Sequence, residues 1–331
     1  MPKKLLAMIL SMIAIFIVGC SNTTEEIEET KTQSTEKVTI NLGVTKGAPT
    51  LPILQMIETN AMGDNVELNL DYWNSPEQLI AMTQDNEHDV FTMPLTVAAK
   101  LYNKGVEIKL TNVNTWGIVY LTTTDDSLQE WADLKGKTIY VPQKSSPADV
   151  LTQYFLKENG LTIGEDVEIL YSTPSEITQL LKSGKAEYGV SLEPQVTNAL
   201  KGNENLRIAF SYDEEWKKVM GNDTTVSNAG IGATTKFVEE NSEIMAKFEE
   251  EYEKALNYLV QNPEIAGELG EKYLELNKEV VTEAMPRLGL AYGNAKESKE
   301  SLDAFYQLLL DFDKTTIGGS IPGEDFYYIA E

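Results

Sequence analysis

The sequence predicts an α/β protein of two lobes. Three observations carry that prediction. Strand and helix signals alternate along most of the chain, prolines recur between a strand and the helix that follows it, and about 290 residues remain once an export segment and a polar linker are set aside. Alternation argues for mostly parallel sheets with helices on both faces. A chain of that length divides into two cores more readily than it enlarges one.

The first elements lie outside that body. Lys3 and Lys4 precede an apolar stretch from Leu5 to Val18, and residues 17–20 read Ile-Val-Gly-Cys. This is the pattern of a lipoprotein signal peptide over residues 1–19, in which Gly19 gives a peptidase access to the bond before Cys20. The apolar stretch is shorter than the ~20 residues needed to span a bilayer. Cys20 is the only cysteine, so an intrachain disulfide and a thiol nucleophile are both excluded. Its expected role is lipidation, with each buried methylene contributing ~0.8 kcal/mol to membrane attachment. The chain is therefore expected to be a bacterial lipoprotein, extracytoplasmic and held at the cell membrane through its lipid alone. From Ser21 to Lys37 only Ile27 is aliphatic, which predicts that residues 20–37 form a disordered tether with a root-mean-square span of roughly 20–25 Å.

The folded body opens with the alternating run KVTINLGV, a strand by its period of two. VELNLDY, DVFTM, EIKLTNV and GIVYLTTT follow as strands, with helices expected around 50–60, 76–84 and 95–103. A second series has KTIYV, VEILY and AEYGVSL as strands and 147–159, 175–183 and 194–200 as helices. From about Asn241 the chain reads as helix nearly throughout, with Ile244, Phe248, Tyr252, Ala255 and Leu259 on one stripe.

Six of the twelve prolines (Pro49, Pro76, Pro94, Pro147, Pro174 and Pro194) fall just after an expected strand and before an expected helix. Proline suits the first helical turn because its missing N–H would be unpaired there anyway. Ser75-Pro76-Glu77-Gln78, Ser146-Pro147-Ala148-Asp149 and Thr173-Pro174-Ser175-Glu176 add capping-box patterns. Several helix N-termini should thus stand at the carboxyl ends of strands, the rim where open α/β sheets bind ligands and where free N–H groups favour anions.

Charge narrows the function further. Loss of Lys3 and Lys4 with the signal takes the formal charge from −25 to −27, with only Arg207 and Arg287 as arginines. Such a surface repels nucleic acid, and a site built on clustered guanidinium groups is not expected. With one histidine, His88, expected on a surface loop, and one lipidated cysteine, a His-rich metal site lacks ligands. The run Glu249-Glu250-Glu251 is expected to be a solvated helix face rather than a calcium site. No metal and no cofactor is expected.

The lipobox, the segment Asp133-Leu134-Lys135-Gly136-Lys137-Thr138-Ile139 and the sequence Leu192-Glu193-Pro194 together resemble the substrate-binding proteins of ABC importers. The branch they resemble is the nitrate/sulfonate/taurine and thiamine-pyrimidine group, and the resemblance covers Lys37 to Glu331. Gly43-Val44-Thr45, residues 89–96 (DVFTMPLT), Asn114-Thr115-Trp116-Gly117 and the segment from Ile317-Gly318-Gly319 to Tyr328 add to it. It implies the type II periplasmic-binding-protein fold, each lobe a mixed, mostly parallel sheet flanked by helices, with a two-strand hinge. Lobe 1 would comprise 38–121 and 232–331, and lobe 2 would comprise 125–230. The partners implied are a small-molecule solute and an ABC permease with its ATPase, and the chain is expected to act as a monomer.

The resemblance assigns Glu193 as the ligand-accepting residue, since pyrimidine-binding relatives use a glutamate there. The competing reading is an acid favoured by a helix N-terminus, worth only ~0.3–1 kcal/mol. Trp73 and Trp116, the latter expected on a loop, offer aromatic faces for a flat heterocycle. Thr45, Lys46, Asn74 and Thr96 are the lobe 1 rim candidates, Ser145, Ser146 and Thr173 those of lobe 2, and Asn228 falls at the return crossing. The preferred ligand is a pyrimidine-like or other nitrogen heterocycle. The alternative is a sulfonate or nitrate-type anion held by Lys46, Lys144 and helix N-termini. A ligand-sensing surface lipoprotein without a transport role is the other alternative. An enzyme is not expected, because no nucleophile, base and orienting group can be assembled from these residues.

Overall fold

A computed structural model describes residues 37–221 and 224–329. The signal peptide, Cys20 and the tether lie outside the described residues. Residues 37–331 form one compact unit.

Eleven strands make two sheets among the described residues. The first contains β1 (Val38–Thr45), β2 (Val66–Trp73), β3 (Val90–Pro94), β4 (Ile108–Trp116), β10 (Ser227–Thr234) and β11 (Leu290–Asn294) in the order β11-β4-β10-β3-β1-β2. The second contains β5 (Val119–Thr123), β6 (Thr138–Pro142), β7 (Glu168–Ser172), β8 (Tyr188–Leu192) and β9 (Arg207–Ser211) in the order β7-β6-β8-β5-β9. β1, β2 and β3 are parallel, while β10 pairs antiparallel with β3 and β4, and β11 with β4. In the second sheet β6, β7 and β8 are parallel, and β5 runs against β8 and β9. Both are mixed sheets, as expected, with four of the six strands of the first and four of the five of the second running the same way.

The connecting helices follow the sequence pattern closely. α1 (Leu51–Glu58), α2 (Pro76–Met82) and α3 (Leu95–Asn103) serve lobe 1, and α4 (Pro147–Glu158), α5 (Pro174–Lys182), α6 (Gln195–Gly202) and α7 (Tyr212–Met220) serve lobe 2. Pro76, Pro147 and Pro174 are the first residues of their helices, whereas Pro94 and Pro194 occupy the N-cap. Thr173 and Glu176 form the full reciprocal capping box. In the other two, the returning side chain reaches one residue further back: Gln78 Oε1 accepts from Asn74 N at 2.6 Å, and Asp149 Oδ2 from Ser145 N at 2.7 Å.

After β10 the chain is helical, as α8 (Thr235–Glu240), α9 (Ser242–Gln261), α10 (Pro263–Leu274), α11 (Lys278–Ala284) and, beyond β11, α12 (Lys299–Phe312). α9 buries Phe248, Tyr252, Ala255 and Leu259 of the expected stripe, with Met245 in place of the half-buried Ile244. These residues cover Ile40, Leu42 and Val44 of β1. A second core runs through both lobes, joining Phe91 and Met93 to Trp131, Phe155 and Tyr212. Trp216 of α7 meets Phe305 of α12 edge-on, their ring centres 6.1 Å apart.

The crossings lie earlier than the expected boundaries. β5 belongs wholly to the second sheet and β10 wholly to the first, so the chain crosses at 117–118 and has returned to the first sheet by Ser227. Their placement orients the lobes. β4 ends beside Ser227 at the carboxyl rim of the first sheet, and β5 starts with Val119 opposite Leu192, the last residue of β8. Each crossing therefore joins one carboxyl rim to the other, and the two rims face each other.

Candidate functional site

The hinge at the base of the facing rims is fixed by short contacts. Gly117 N donates to Val226 O at 2.8 Å, Ile118 N to Asn228 Oδ1 at 3.4 Å, and Val226 N to Asp213 Oδ1 at 2.9 Å. Gly117 has φ +61°, and a Cβ on it would lie 2.7 Å from Asp213 Cβ. Glycine alone fits a left-handed conformation with a carboxylate packed that closely.

On the lobe 1 rim, Thr45 ends β1, and its N–H donates to Thr92 Oγ1 at 2.9 Å. Lys46 pairs with Glu275 and lies 5.8 Å from the centre of the Tyr72 ring. Trp73 ends β2 beside Thr45, half-buried, with Nε1 donating to Thr92 O at 3.2 Å. Asn74 is exposed, and Thr96 is half-buried in the first turn of α3. Trp116 is the last residue of β4 rather than part of a loop, and its Nε1 donates to Ala291 O at 2.8 Å. The strand extends further than EIKLTNV because β10 and β11 hold it from both sides.

On the lobe 2 rim, Ser146 caps α4 and donates to Pro142 O at 2.7 Å, while Ser145 precedes it with φ +62°. Asp149 takes the Ser145 N–H and accepts from Tyr171 Oη at 3.0 Å. That helix N-terminus already holds a carboxylate of its own. Thr173 caps α5 and is exposed.

Glu193 differs most from expectation. Its side chain has no exposed surface. Oε1 accepts from Thr197 Oγ1 at 2.9 Å and from Arg287 Nε at 2.6 Å, and Oε2 accepts from Thr197 N at 3.0 Å. A carboxylate enclosed in this way is not open to a ligand in this conformation. The cation that closes it comes from the other lobe: Arg287 ends a short helical turn after α11. Its Nη2 donates to Thr197 Oγ1 at 2.6 Å, while Nη1 has no partner among the described residues.

Three groups near the rims carried no usable sequence signal. Ser191 and Ser227 are buried, and their hydroxyls have no partner among the described residues. Tyr120 donates to Arg287 O at 3.3 Å. Burial, and secondarily the nearby Glu193 carboxylate, push Tyr120 up to about 12, so it acts as a neutral donor. Arg287 did have a signal in its rarity, but only a contact between distant segments reveals its use.

His88 sits on a loop, yet its side chain is only 9% exposed and lies between Asp85 Oδ2 at 2.8 Å and Asp71 Oδ2 at 3.2 Å. Glu249 corrects the solvated-face expectation. It is buried under β4, accepting from Asn112 Nδ2 at 2.8 Å and Tyr292 Oη at 2.9 Å, whereas Glu250 is exposed. A cavity of about 750 Å³ lies between the ends of α2, α3 and α8. Asp89, Glu107 and Thr234 place it at the end of the first sheet opposite the rim. Among the described residues no group of three or more His, Cys, Asp or Glu could hold a metal, and no helix is long and apolar enough to cross a membrane.

This architecture has close counterparts. The family described as the ABC-transporter phosphonate periplasmic substrate-binding proteins matches residues 50–219, from the start of α1 to the end of α7. The chain belongs to that family. The binding protein is the extracytoplasmic substrate-binding component of an ABC importer, and such components bind small solutes and work with a permease and an ATPase. No curated protein matches it. An ABC transporter structure from Parabacteroides distasonis superposes with a TM-score of 0.77 at 24% identity, covering 89% of this chain and all of that one. The periplasmic aliphatic sulphonate-binding protein SsuA of Escherichia coli gives 0.67 at 16% identity, covering 86% and 92%. The periplasmic nitrate-binding protein NrtA of Synechocystis PCC 6803 gives 0.60 at 13%, covering 85% and 84%. At these identities the likeness establishes the two-lobe fold, and the family is one of transport substrate-binding proteins.

Proposed function

We propose that the binding protein is anchored by lipid on Cys20, captures one small solute between its lobes, and delivers it as a monomer to the permease. The pair of facing carboxyl rims, linked by a two-strand hinge, supports this reading most strongly. Strand ends, helix N-termini and short polar side chains converge there, as in ligand crevices of open α/β sheets. Capture makes no covalent change, and the solute acts by shifting the population toward the closed form.

For the ligand we favour a small molecule bearing an anionic group of the phosphonate, sulfonate or nitrate kind. The family and two of the similar structures are named for such anions. Lys46, Lys144 and Nη1 of Arg287 are the cations we assign to it, with Thr96, Asn228 and the unpartnered Ser227 as further polar groups of the rims. The acidic net charge does not forbid this, because exposed charges are screened beyond ~8 Å at physiological salt while donors in the crevice act at contact. The heterocycle reading loses its main support with the enclosure of Glu193. It keeps one observation, that Trp73 and Trp116 stand half-buried at the rim.

A thermal-shift screen of the chain from Ser21 tests this against phosphonates, sulfonates, nitrate, pyrimidines, and thiamine and flavin precursors. A ligand at a hundredfold excess over its Kd adds ~2.7 kcal/mol, a rise of several degrees in Tm. An oxyanion hit supports the favoured ligand, a heterocycle hit returns the site to the tryptophans, and silence across the panel favours a sensor.

A further inference from the structure

Four contacts tie one short segment of lobe 1 to one face of lobe 2. Lys201 of α6 pairs with Glu283 of α11 at 2.9 Å. Arg287 reaches Glu193 Oε1 and Thr197 Oγ1, both at 2.6 Å, and its carbonyl accepts from Tyr120 Oη. In sequence the partners are 82 to 167 residues apart. In the structure they form one row in which lobe 2 supplies Tyr120 of β5, Glu193 between β8 and α6, and Thr197 and Lys201 of α6, and lobe 1 supplies Glu283 and Arg287. The row is graded. Its outer pair is exposed, and its central carboxylate has no exposed surface at all.

We propose that this row is an interlobe latch, in which Glu193 and Thr197 grip Arg287 and hold the lobes at the closed spacing. Glu193 is then a positioning residue for solute capture: it acts through Arg287 and does not touch the solute. The chemistry fits this role. A carboxylate emptied of its cation and left buried is costly, so opening the lobes must either expose Glu193 to water or keep it paired. A carboxylate and guanidinium meeting across a moving boundary thus bias a two-state equilibrium, and a solute shifts that equilibrium only by its differential affinity for the two spacings. The row also explains why one of the chain's two arginines lies outside the expected rim residues. The inference rests on the reading that the lobes close around a solute.

The test places spin labels at Lys104→Cys in lobe 1 and Lys185→Cys in lobe 2, both exposed, in the chain from Ser21, which lacks Cys20. Interlobe distances are measured without and with phosphonates and sulfonates, nitrate and pyrimidines. Glu193→Gln should lengthen and broaden the ligand-free distances. It should also weaken, about tenfold and through faster dissociation, any solute that closes the parent. Lys201→Glu should shift distances the same way but less, and adding Glu283→Lys should restore them, an arm that remains if Glu193→Gln fails to fold. Ligand-free distances unchanged in Glu193→Gln and in Lys201→Glu would overturn the latch. Affinity lost in Glu193→Gln at unchanged distances would also overturn it, by making Glu193 a solute contact. If no solute moves the distances of either the parent or Glu193→Gln, the capture reading fails, and the ligand-free comparison still decides the latch.

Discussion

Glu193 and Glu249 each keep only 4% of their surface exposed, yet their environments are opposite. Glu193 lies between lobes and has a guanidinium against it. Glu249 lies within lobe 1 and has only neutral donors, Asn112 and Tyr292, and its Oε1 has no partner among the described residues. Burial pushes the Glu249 carboxyl upward, and no cation offsets it. The difference separates a carboxylate that spans a boundary from one that braces a core. In the first, a charge must find its countercharge across a gap that changes. In the second, burial disfavours the charged form of the carboxyl, and neutral donors fix one arrangement.

The largest effect that would break this comparison is at Arg287. Arg287→Leu leaves Glu193 buried without its cation, and removing one partner of a buried pair costs about 3–5 kcal/mol. Urea denaturation should show a loss of that order, partly recovered in Arg287→Leu with Glu193→Leu, where no charge is stranded. A single-variant loss below 1 kcal/mol would mean that Glu193 relaxes into water, and the contrast with Glu249 would fail.

Next in size is the hinge, which both lobes share. Gly117→Ala forces φ +61° on a residue with a Cβ and drives that Cβ against Asp213. A loss of about 1–3 kcal/mol is expected from a held left-handed conformation, together with altered solute affinity.

The core carboxyl is distinguished by pH. For Glu249 the folded value is raised above its ordinary 4.5 by burial, so the folded state binds more protons than the unfolded one. Its contribution is full below about pH 4.5 and is lost as pH rises toward the folded value. Glu249→Gln removes that dependence while keeping acceptor capacity for Asn112 and Tyr292. The variant should therefore gain stability relative to the parent as pH rises from 4.5 to 7 in denaturation series. A constant difference over that range would show that Glu249 titrates normally.

How far each region was legible in the sequence follows from the range of its contacts. Pro76, Pro147 and Pro174 mark helix starts because capping is settled within four residues, and the alternating runs of β1 and β6 announce themselves by local period. β9, β10 and β11 were not distinguished: the small residues of SNAGIGAT at β10 carry little periodic signal, and the strand exists because β3 and β4 flank it. Within Glu249-Glu250-Glu251, composition could not show which acid faces the core, because the answer depends on Asn112 in a strand far away. The Glu193–Arg287 contact was hidden for the same reason. Local sequence placed Glu193 correctly at a strand end and helix start, but its partner lies 94 residues on.

The smallest expected effect on stability sharpens the comparison most at the crevice. Lys46 pairs with Glu275, whose side chain is 82% exposed, and an exposed pair gains little because water and salt screen it. Lys46→Ala should leave the denaturation midpoint where it is. Its solute affinity is a separate matter, because a lysine at the end of β1 can leave Glu275 for an anion in the crevice without stranding a buried charge. Arg287 has no such freedom while Glu193 holds its Nε and Thr197 its Nη2. A drop in anion affinity in Lys46→Ala, at unchanged stability and unchanged interlobe distance, would assign recognition to the mobile cation and lobe spacing to the fixed one. Unchanged affinity would leave Nη1 of Arg287 and Lys144 as the cations that meet the solute, and would join recognition to the row that holds the lobes.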